Sequence, residues 1–271
     1  MRYMVTAEGV WRVEGESATH LPDAGEDLTR LAAGGAEGAP GRQAALADLV
    51  PALPVRRPGK ILCVGLNYAE HAREGGREPP EYPAFFMRAA TSLVPAGAPI
   101  IRPRVSEKLD FEAELMIVVG RGGRYIAEET ALEHVFGYTC FNDGSVRDYQ
   151  RRGGQWTPGK NFDRTGAVGP VVVTPDELPA GAHGLHIESR VEGEVMQSAS
   201  TADMIFPVAR LIALISEFCT LEPGDLIATG TPEGVGYART PPRWLRPGEV
   251  VKVEIEGIGT LRSPVADEAA S

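Results

Sequence analysis

From Lys60 onward the chain is a succession of short, β-branched apolar runs: KILCVGLN, PIIRP, ELMIVVG, VFGYTCFN, GPVVVT, LHIESRVEGEVMQ, DLIATGTP and VVKVEIEGIGTLRS. Each is closed by Gly, Pro or Asn-Asp, the punctuation that ends strands. Glu192-Gly193 and Glu256-Gly257 fall where tight turns between such strands are expected. Two segments carry a helical period instead. One is Glu128–His134, after a turn. The other is Pro207–Cys219, whose apolar positions 208, 211, 212, 215 and 218 follow the i, i+3/i+4 rule and define one buried face. Many strands, few helices and long loops, without alternating βα units, predict a mainly β (α+β) body, a roll or barrel carrying one packed helix.

The first 57 residues read differently. MRYMVTAEGVWRVEG predicts a short hairpin around Glu8-Gly9, whereas Leu31–Gln43 (LAAGGAEGAPGRQ) has too little apolar content to build a core alone. Ala44–Leu53 and the prolines at 51, 54 and 58 read as a tether. The expected organisation is a small N-terminal appendage over 1–57 leaning on a main domain over 58–271, with no internal repeat. A chain of 271 residues that is 43% apolar is long enough for that arrangement.

Chemistry first shows in LDFEAELMIVVG (Leu109–Gly120). Glu112 and Glu114 are two apart in a predicted strand, so both carboxylates point to one face while Phe111, Ala113 and Leu115 point to the other. Two like charges in so apolar a context are costly unless a cation lies between them. Asp143, in NDGS at the end of the next apolar run, is placed to add a third oxygen. An all-oxygen set suits Mg²⁺, Mn²⁺ or Ca²⁺ rather than zinc. The alternative is a set of solvated carboxylates on a strand face.

The net charge of −10, from 27 basic and 37 acidic residues, argues against a nucleic-acid surface and against anionic membranes. It leaves room for an anionic substrate, because a metal and a few Lys or Arg reverse the field locally. Cys63, Cys140 and Cys219 are far apart in apolar contexts and read as buried free thiols of a reducing compartment. Met1–Val10 lacks a signal pattern and no apolar run is long enough to span a bilayer, which together set a cytoplasmic expectation.

Three further stretches hold candidates. In Asn67–Gly76 (NYAEHAREGG), His71 and Glu74 share a face if the segment forms a helical turn. A carboxylate beside an imidazole then makes a general base, although the spacing alone favours a surface turn with a chance ion pair. The Gly- and Pro-rich EGGREPPEYP that follows has the composition of a flap. Lys160 lies in PGKNFD, a turn-rich stretch after Trp156. TGTPEGVG (Thr229–Gly236) lacks the pattern of a phosphate loop and reads as a tight loop offering a hydroxyl and amides to a ligand, or as a simple strand-end turn.

Taken in order, GLNYAEHARE, LDFEAEL, FNDGSVRDYQ, GKNFD, TADMIF, LEPGDLIATGTPEGVG and VEIEGIGTL resemble the fumarylacetoacetate hydrolase superfamily over about residues 58–266. The resemblance implies a β-roll catalytic domain with a variable N-terminal part, a homodimer, and Mg²⁺, with Mn²⁺ or Ca²⁺ in some members. By motif, Glu112, Glu114 and Asp143 match the metal carboxylates, His71 and Glu74 the His–Glu dyad, and Lys160 the active-site lysine. Gln150 and Thr231 match substrate-contacting positions. Two departures stand out. Arg88 occupies a position where relatives often carry Lys, and Gly144 replaces a bulkier residue, which predicts a wider pocket.

The chemistry implied is metal-dependent hydrolysis of a carbon–carbon bond next to a carbonyl. The substrate is a small anionic diketo or 2-oxo acid, such as an acylpyruvate or fumarylpyruvate, in the catabolism of aromatic or related compounds. Decarboxylation of an oxaloacetate-like acid and keto–enol or double-bond isomerisation pass through the same enolate, and the sequence does not separate them. A non-catalytic binding relative is a further alternative, against which every dyad and metal position is retained.

Overall fold

The computed structural model describes residues 1–269 of the 271. One sheet of twelve strands forms its spine. Across the sheet the strands run Gln43–Ala45, Ser17–Leu21, Gly9–Glu14, Arg2–Thr6, Val171–Val173, Val135–Asn142, Ala113–Val119, Leu226–Ala228, Ile61–Gly65 and Ala84–Met87, with Gly166–Val168 and Leu93–Pro95 branching from the middle. A second sheet of five strands orders Glu194–Ser200, His186–Val191, Val250–Ile255, Gly259–Asp267 and Ile100–Arg102. The tight turns expected at Glu192-Gly193 and Glu256-Gly257 join its two hairpins.

The N-terminal strands do not form a sheet of their own. Arg2–Thr6 pairs antiparallel with Val171–Val173, so the expected hairpin, closed at Ala7-Glu8, extends the sheet of the main body. Part of the segment read as a tether is itself a strand, Gln43–Ala45, laid on Ser17–Leu21.

Ala113–Val119 is buried along its whole length, which is why it reads as a continuous apolar run and not as an alternating one. Phe111, Ala113, Leu115, Ile117 and Val119 enter one core, and Met116 and Val118 enter the other. Glu112 and Glu114 lie on the Met116 face, where the second core gives way to a cavity. The helix Val208–Phe218 buries Val208, Leu211, Ile212 and Ile215 as its period predicts. Phe218 departs from that expectation and is 48% exposed. The last turn runs past the core, and its ring packs beside Phe85 at 5.2 Å between centroids. Among the described residues, no helix is long and apolar enough to cross a membrane.

Candidate active site

The antiparallel pairing of Ala113–Val119 with Val135–Asn142 brings the acidic residues together. Its register sets Ala113 opposite Asn142, so Asp143, one residue past the strand end, comes level with Glu112. Two hydrogen bonds fix the junction: the Asp143 amide donates to the Glu112 carbonyl at 2.9 Å, and the Glu112 amide donates to Asn142 Oδ1 at 2.9 Å. Oxygens of Glu112, Glu114 and Asp143 lie within 4.8 Å of one another, and all three residues are buried.

Cationic side chains reach two of the three. Lys160 Nζ lies 2.6 Å from both Glu112 Oε2 and Asp143 Oδ2. Arg147 Nη1 takes the other Glu112 oxygen at 2.7 Å, and Arg88 Nη1 takes Asp143 Oδ1. Glu114 differs. Its Oε2 accepts the Gly230 amide at 2.9 Å, and no cationic side chain pairs with it among the described residues. Burial opposes the charge on Glu112, but the Lys160 ammonium and Arg147 guanidinium outweigh it and hold the carboxyl at about 2. For Glu114, burial and then the charges of Asp143 and Glu112 push the carboxyl well above its usual range. A buried, cation-poor carboxylate beside two ion-paired ones is the arrangement that a divalent ion relieves, and the hard oxygen donors suit Mg²⁺ or Mn²⁺.

Lys160 reaches the carboxylates from a single helical turn, Thr157–Lys160, packed on the turn Arg147–Gln150. Gly159 permits that approach: a Cβ there would lie 2.4 Å from the Gln150 backbone nitrogen. Burial alone would lower the lysine's pKa, but Asp143 and Glu112 raise it above its ordinary value, so the ammonium stays charged.

The predicted turn around His71 forms as the helix Ala69–Glu74. His71 Nδ1 lies 2.8 Å from Glu74 Oε1, and Glu74 Oε2 accepts the Gly234 amide at 2.9 Å. The dyad is thereby tied to the TGTPEGVG loop. With Nδ1 engaged, Nε2 is the ring nitrogen left to act, and His71 lines the same cavity as Glu112, Glu114 and Lys160. That cavity has a volume of about 310 Å³. Gln150 and Thr231 also line it, and each is pre-set by a neighbour: Arg147 Nη1 donates to Gln150 Oε1 at 3.0 Å, and Gln197 Nε2 donates to Thr231 Oγ1 at 2.7 Å.

Several of these supports were not singled out from the sequence. Asp110 accepts from Arg147 Nε at 2.7 Å and from the amides of Gly236 and Tyr237 at 2.8 and 3.0 Å, joining three segments beneath the site. Asp110 and Arg147 flank the two acidic motifs, which was the signal available. Gln197 and Tyr237 carried none. Arg88 is a buried counter-ion, held by Ser92, Thr165 and the Gly144 carbonyl as well as Asp143.

Gly144 does not widen the pocket as expected. It is absent from the cavity lining, and a Cβ there would lie 2.0 Å from the Thr165 carbonyl oxygen, so the glycine serves a close backbone approach. The thiol expectation holds for Cys63 and Cys140, which are buried, but Cys219 is partly exposed because it follows the last turn of its helix.

Residues 60–266 match the family model described as the fumarylacetoacetate (FAA) hydrolase C-terminal domain. The mitochondrial oxaloacetate tautomerase FAHD2A of Bos taurus is 46% identical over 214 residues, 78% of this chain and 68% of that protein. Among solved structures, 2-hydroxyhepta-2,4-diene-1,7-dioate isomerase from Mycobacterium marinum superposes with a TM-score of 0.81 at 34% identity, covering 100% of both chains. Fumarylpyruvate hydrolase from Pseudomonas aeruginosa, in complex with Mn²⁺ and pyruvate, superposes with a TM-score of 0.70 at 36% identity, covering 78% of this chain and 91% of that one.

Proposed function

Because this chain belongs to the fumarylacetoacetate hydrolase family, we propose that it is an enzyme moving a proton between the carbon beside the oxo group and the oxo oxygen of a small 2-oxo acid. The observation that carries this reading is the His71–Glu74 pair, 2.8 Å apart and opening onto the cavity lined by Glu112, Glu114 and Lys160. Keto–enol interconversion needs one base at carbon and stabilisation of charge on oxygen, and no bond between carbons breaks. The likeness to relatives named oxaloacetate tautomerases, 46% identical in the Bos taurus FAHD2A, supports it.

Glu112, Glu114 and Asp143 would hold a divalent ion, Mg²⁺ or Mn²⁺, which when bound supplies Lewis-acid stabilisation of negative charge on the substrate oxygens. The chain's own residues do the rest. His71 Nε2 takes the proton from carbon, and Glu74 on Nδ1 fixes the tautomer and steadies the imidazolium. The Lys160 ammonium faces the same cavity and favours charge on the oxo oxygen. Gln150 and Thr231, pre-set by Arg147 and Gln197, orient the acid. A homodimer belongs to the same reading and is tested by light scattering.

Hydrolytic carbon–carbon cleavage is the second reading, favoured by the likeness to the fumarylpyruvate hydrolase. The same base would then take its proton from water. Oxaloacetate, with enol absorbance and CO₂ release followed in parallel, separates the possibilities when set beside an acylpyruvate. Accelerated enol–keto exchange that disappears with EDTA and in His71→Ala supports the first reading. Acylpyruvate cleavage without such exchange replaces it with the second.

A further inference from the structure

Behind the cavity wall a buried glutamine joins two elements of the site without lining the cavity itself. Gln197 lies on Glu194–Ser200 of the five-stranded sheet, opposite Ser189 of His186–Val191. Its Oε1 accepts from the Ala113 amide and from the Ser189 hydroxyl, each at 2.9 Å. Its Nε2 donates to Thr231 Oγ1 at 2.7 Å and to the Pro232 carbonyl at 2.8 Å. Both lone pairs and both protons of the amide are thereby engaged.

Two of these partners are backbone groups, and they fix which end of the amide is which. The Ala113 N–H can only donate, so the atom facing it is the oxygen. The Pro232 carbonyl can only accept, so the atom facing it is the nitrogen. Thr231 inherits a polarity from that assignment. A hydroxyl that accepts from an N–H directs its own proton elsewhere, and among the described residues no group takes that proton. Thr231 lines the cavity, so the proton is left for a ligand.

The amide is also held against turning. Leu226–Ala228 pairs with the acidic strand only from Met116 to Val118, and Gln197 Oε1 serves as the partner that the Ala113 amide lacks beyond that point. The loop carrying Thr231 is pressed onto the strand of Gln197. A Cβ on Gly234 would lie 2.3 Å from the Met196 carbonyl oxygen, to which Arg239 Nη2 donates at 2.6 Å. A buried glutamine with all its bonds made is ordinarily a packing device. This one in addition decides whether a hydroxyl of the cavity donates or accepts.

We infer that Gln197 is a positioning residue that acts through Thr231, fixing its hydroxyl as a hydrogen-bond donor to the substrate. The inference rests on the preceding assignment of Thr231 to orienting the acid. Gln197 touches no ligand, and the proton transfer stays with His71. The second sheet, whose strands contribute no side chain to the cavity lining, thus sets the direction of one bond inside it.

The test is a double-mutant cycle read by calorimetric titration of oxalate, a planar anion with adjacent oxygens like those of a 2-oxo acid, into the Mg²⁺-loaded protein. Thr231→Val and Gln197→Met are each expected to weaken oxalate binding by about tenfold or more. The double variant is expected to bind within about threefold of Thr231→Val alone, since the hydroxyl through which Gln197 acts is already gone. Losses that multiply in full overturn the inference, as does an unchanged affinity in Gln197→Met beside a weakened Thr231→Val. An unchanged affinity in Thr231→Val removes the assignment of that residue to the acid, and the inference falls with it. Neutron diffraction from the wild-type protein gives a second answer that does not depend on how the variants fold. The Thr231 deuteron is expected to point into the cavity, and a deuteron directed at Gln197 or anywhere else overturns the inference.

Discussion

Glu114→Gln isolates the part of the site that most needs a cation. Glu114 is 1% exposed, and its oxygens lie within 4.8 Å of those of Glu112 and Asp143. At an effective dielectric constant of about 20, two unit charges 4.8 Å apart repel by about 3.5 kcal/mol. Lys160 offsets part of that repulsion, but among the described residues Glu114 has no cation of its own. Without metal the folded carboxyl therefore keeps its proton to a higher pH than the unfolded one, whose ordinary value is 4.5. The folded state binds more protons over that interval, so stability falls as pH rises from 4.5 toward the folded value. The limiting slope for one proton is about 1.4 kcal/mol per pH unit. Glu112, held at about 2, has the opposite sign: its contribution is present above 4.5 and is lost as pH falls toward 2. Since both variants share Glu112, their difference reports Glu114. Melting is followed by scanning calorimetry with EDTA and with Mg²⁺ across the neutral range. Metal-free Glu114→Gln is expected to melt above the metal-free wild type, with a flatter pH dependence. Saturating cation, at about a thousand times its Kd, should stabilise the wild type by about 4 kcal/mol, or roughly 8–16 °C, and the variant far less. A variant with the full metal-induced shift, or one that melts lower than the wild type without metal, refutes this account of the carboxylates.

His71→Ala is expected to lower the turnover number by about 10²–10⁴-fold in initial-rate assays while leaving the melting temperature nearly unchanged; Glu74→Gln should lower it by less. Gly144→Ala forces a methyl to within 2.0 Å of the Thr165 carbonyl oxygen and should lose about 1–3 kcal/mol in urea unfolding, whereas Gly153→Ala, with nothing within 4 Å, stays within about 0.5 kcal/mol of wild type. Thiol labelling at pH 8 should find only Cys219 in the native protein and all three cysteines in denaturant. Burial removes Cys63 and Cys140 from the reagent and pushes the Cys140 thiol up to about 12, so the reactive thiolate is scarce below that pH.

Local pattern determined a good deal of this molecule. Many strands of the main body, the helix Val208–Phe218 and the turns at Glu192-Gly193 and Glu256-Gly257 were legible because alternation, period and turn chemistry act within a few residues, whereas the strands Ala84–Met87, Leu93–Pro95 and Gly166–Val168 were not singled out. The shared face of Glu112 and Glu114 and the spacing of His71 and Glu74 are local in the same sense, and the structure brings both pairs onto one cavity. Less was legible where a long-range partner gives a residue its meaning. Gly144 read as an opening in the pocket, and it proved to be a close backbone approach to Thr165, the residue before the strand Gly166–Val168.

Tertiary structure decided the remainder. Only the strand register could set Asp143 level with Glu112, only the packing of two single-turn helices could carry Lys160 onto both carboxylates, and only Asp110 could join Arg147 to the Gly236–Tyr237 backbone. The N-terminal strands likewise gained their place by pairing with Val171–Val173, a partner that no nearby residue announces. The physical reason is common to all four. Periodicity and turn propensity are written in neighbours along the chain, whereas the field at a buried charge is set by whichever groups the fold brings within a few ångströms, however far apart they stand in sequence.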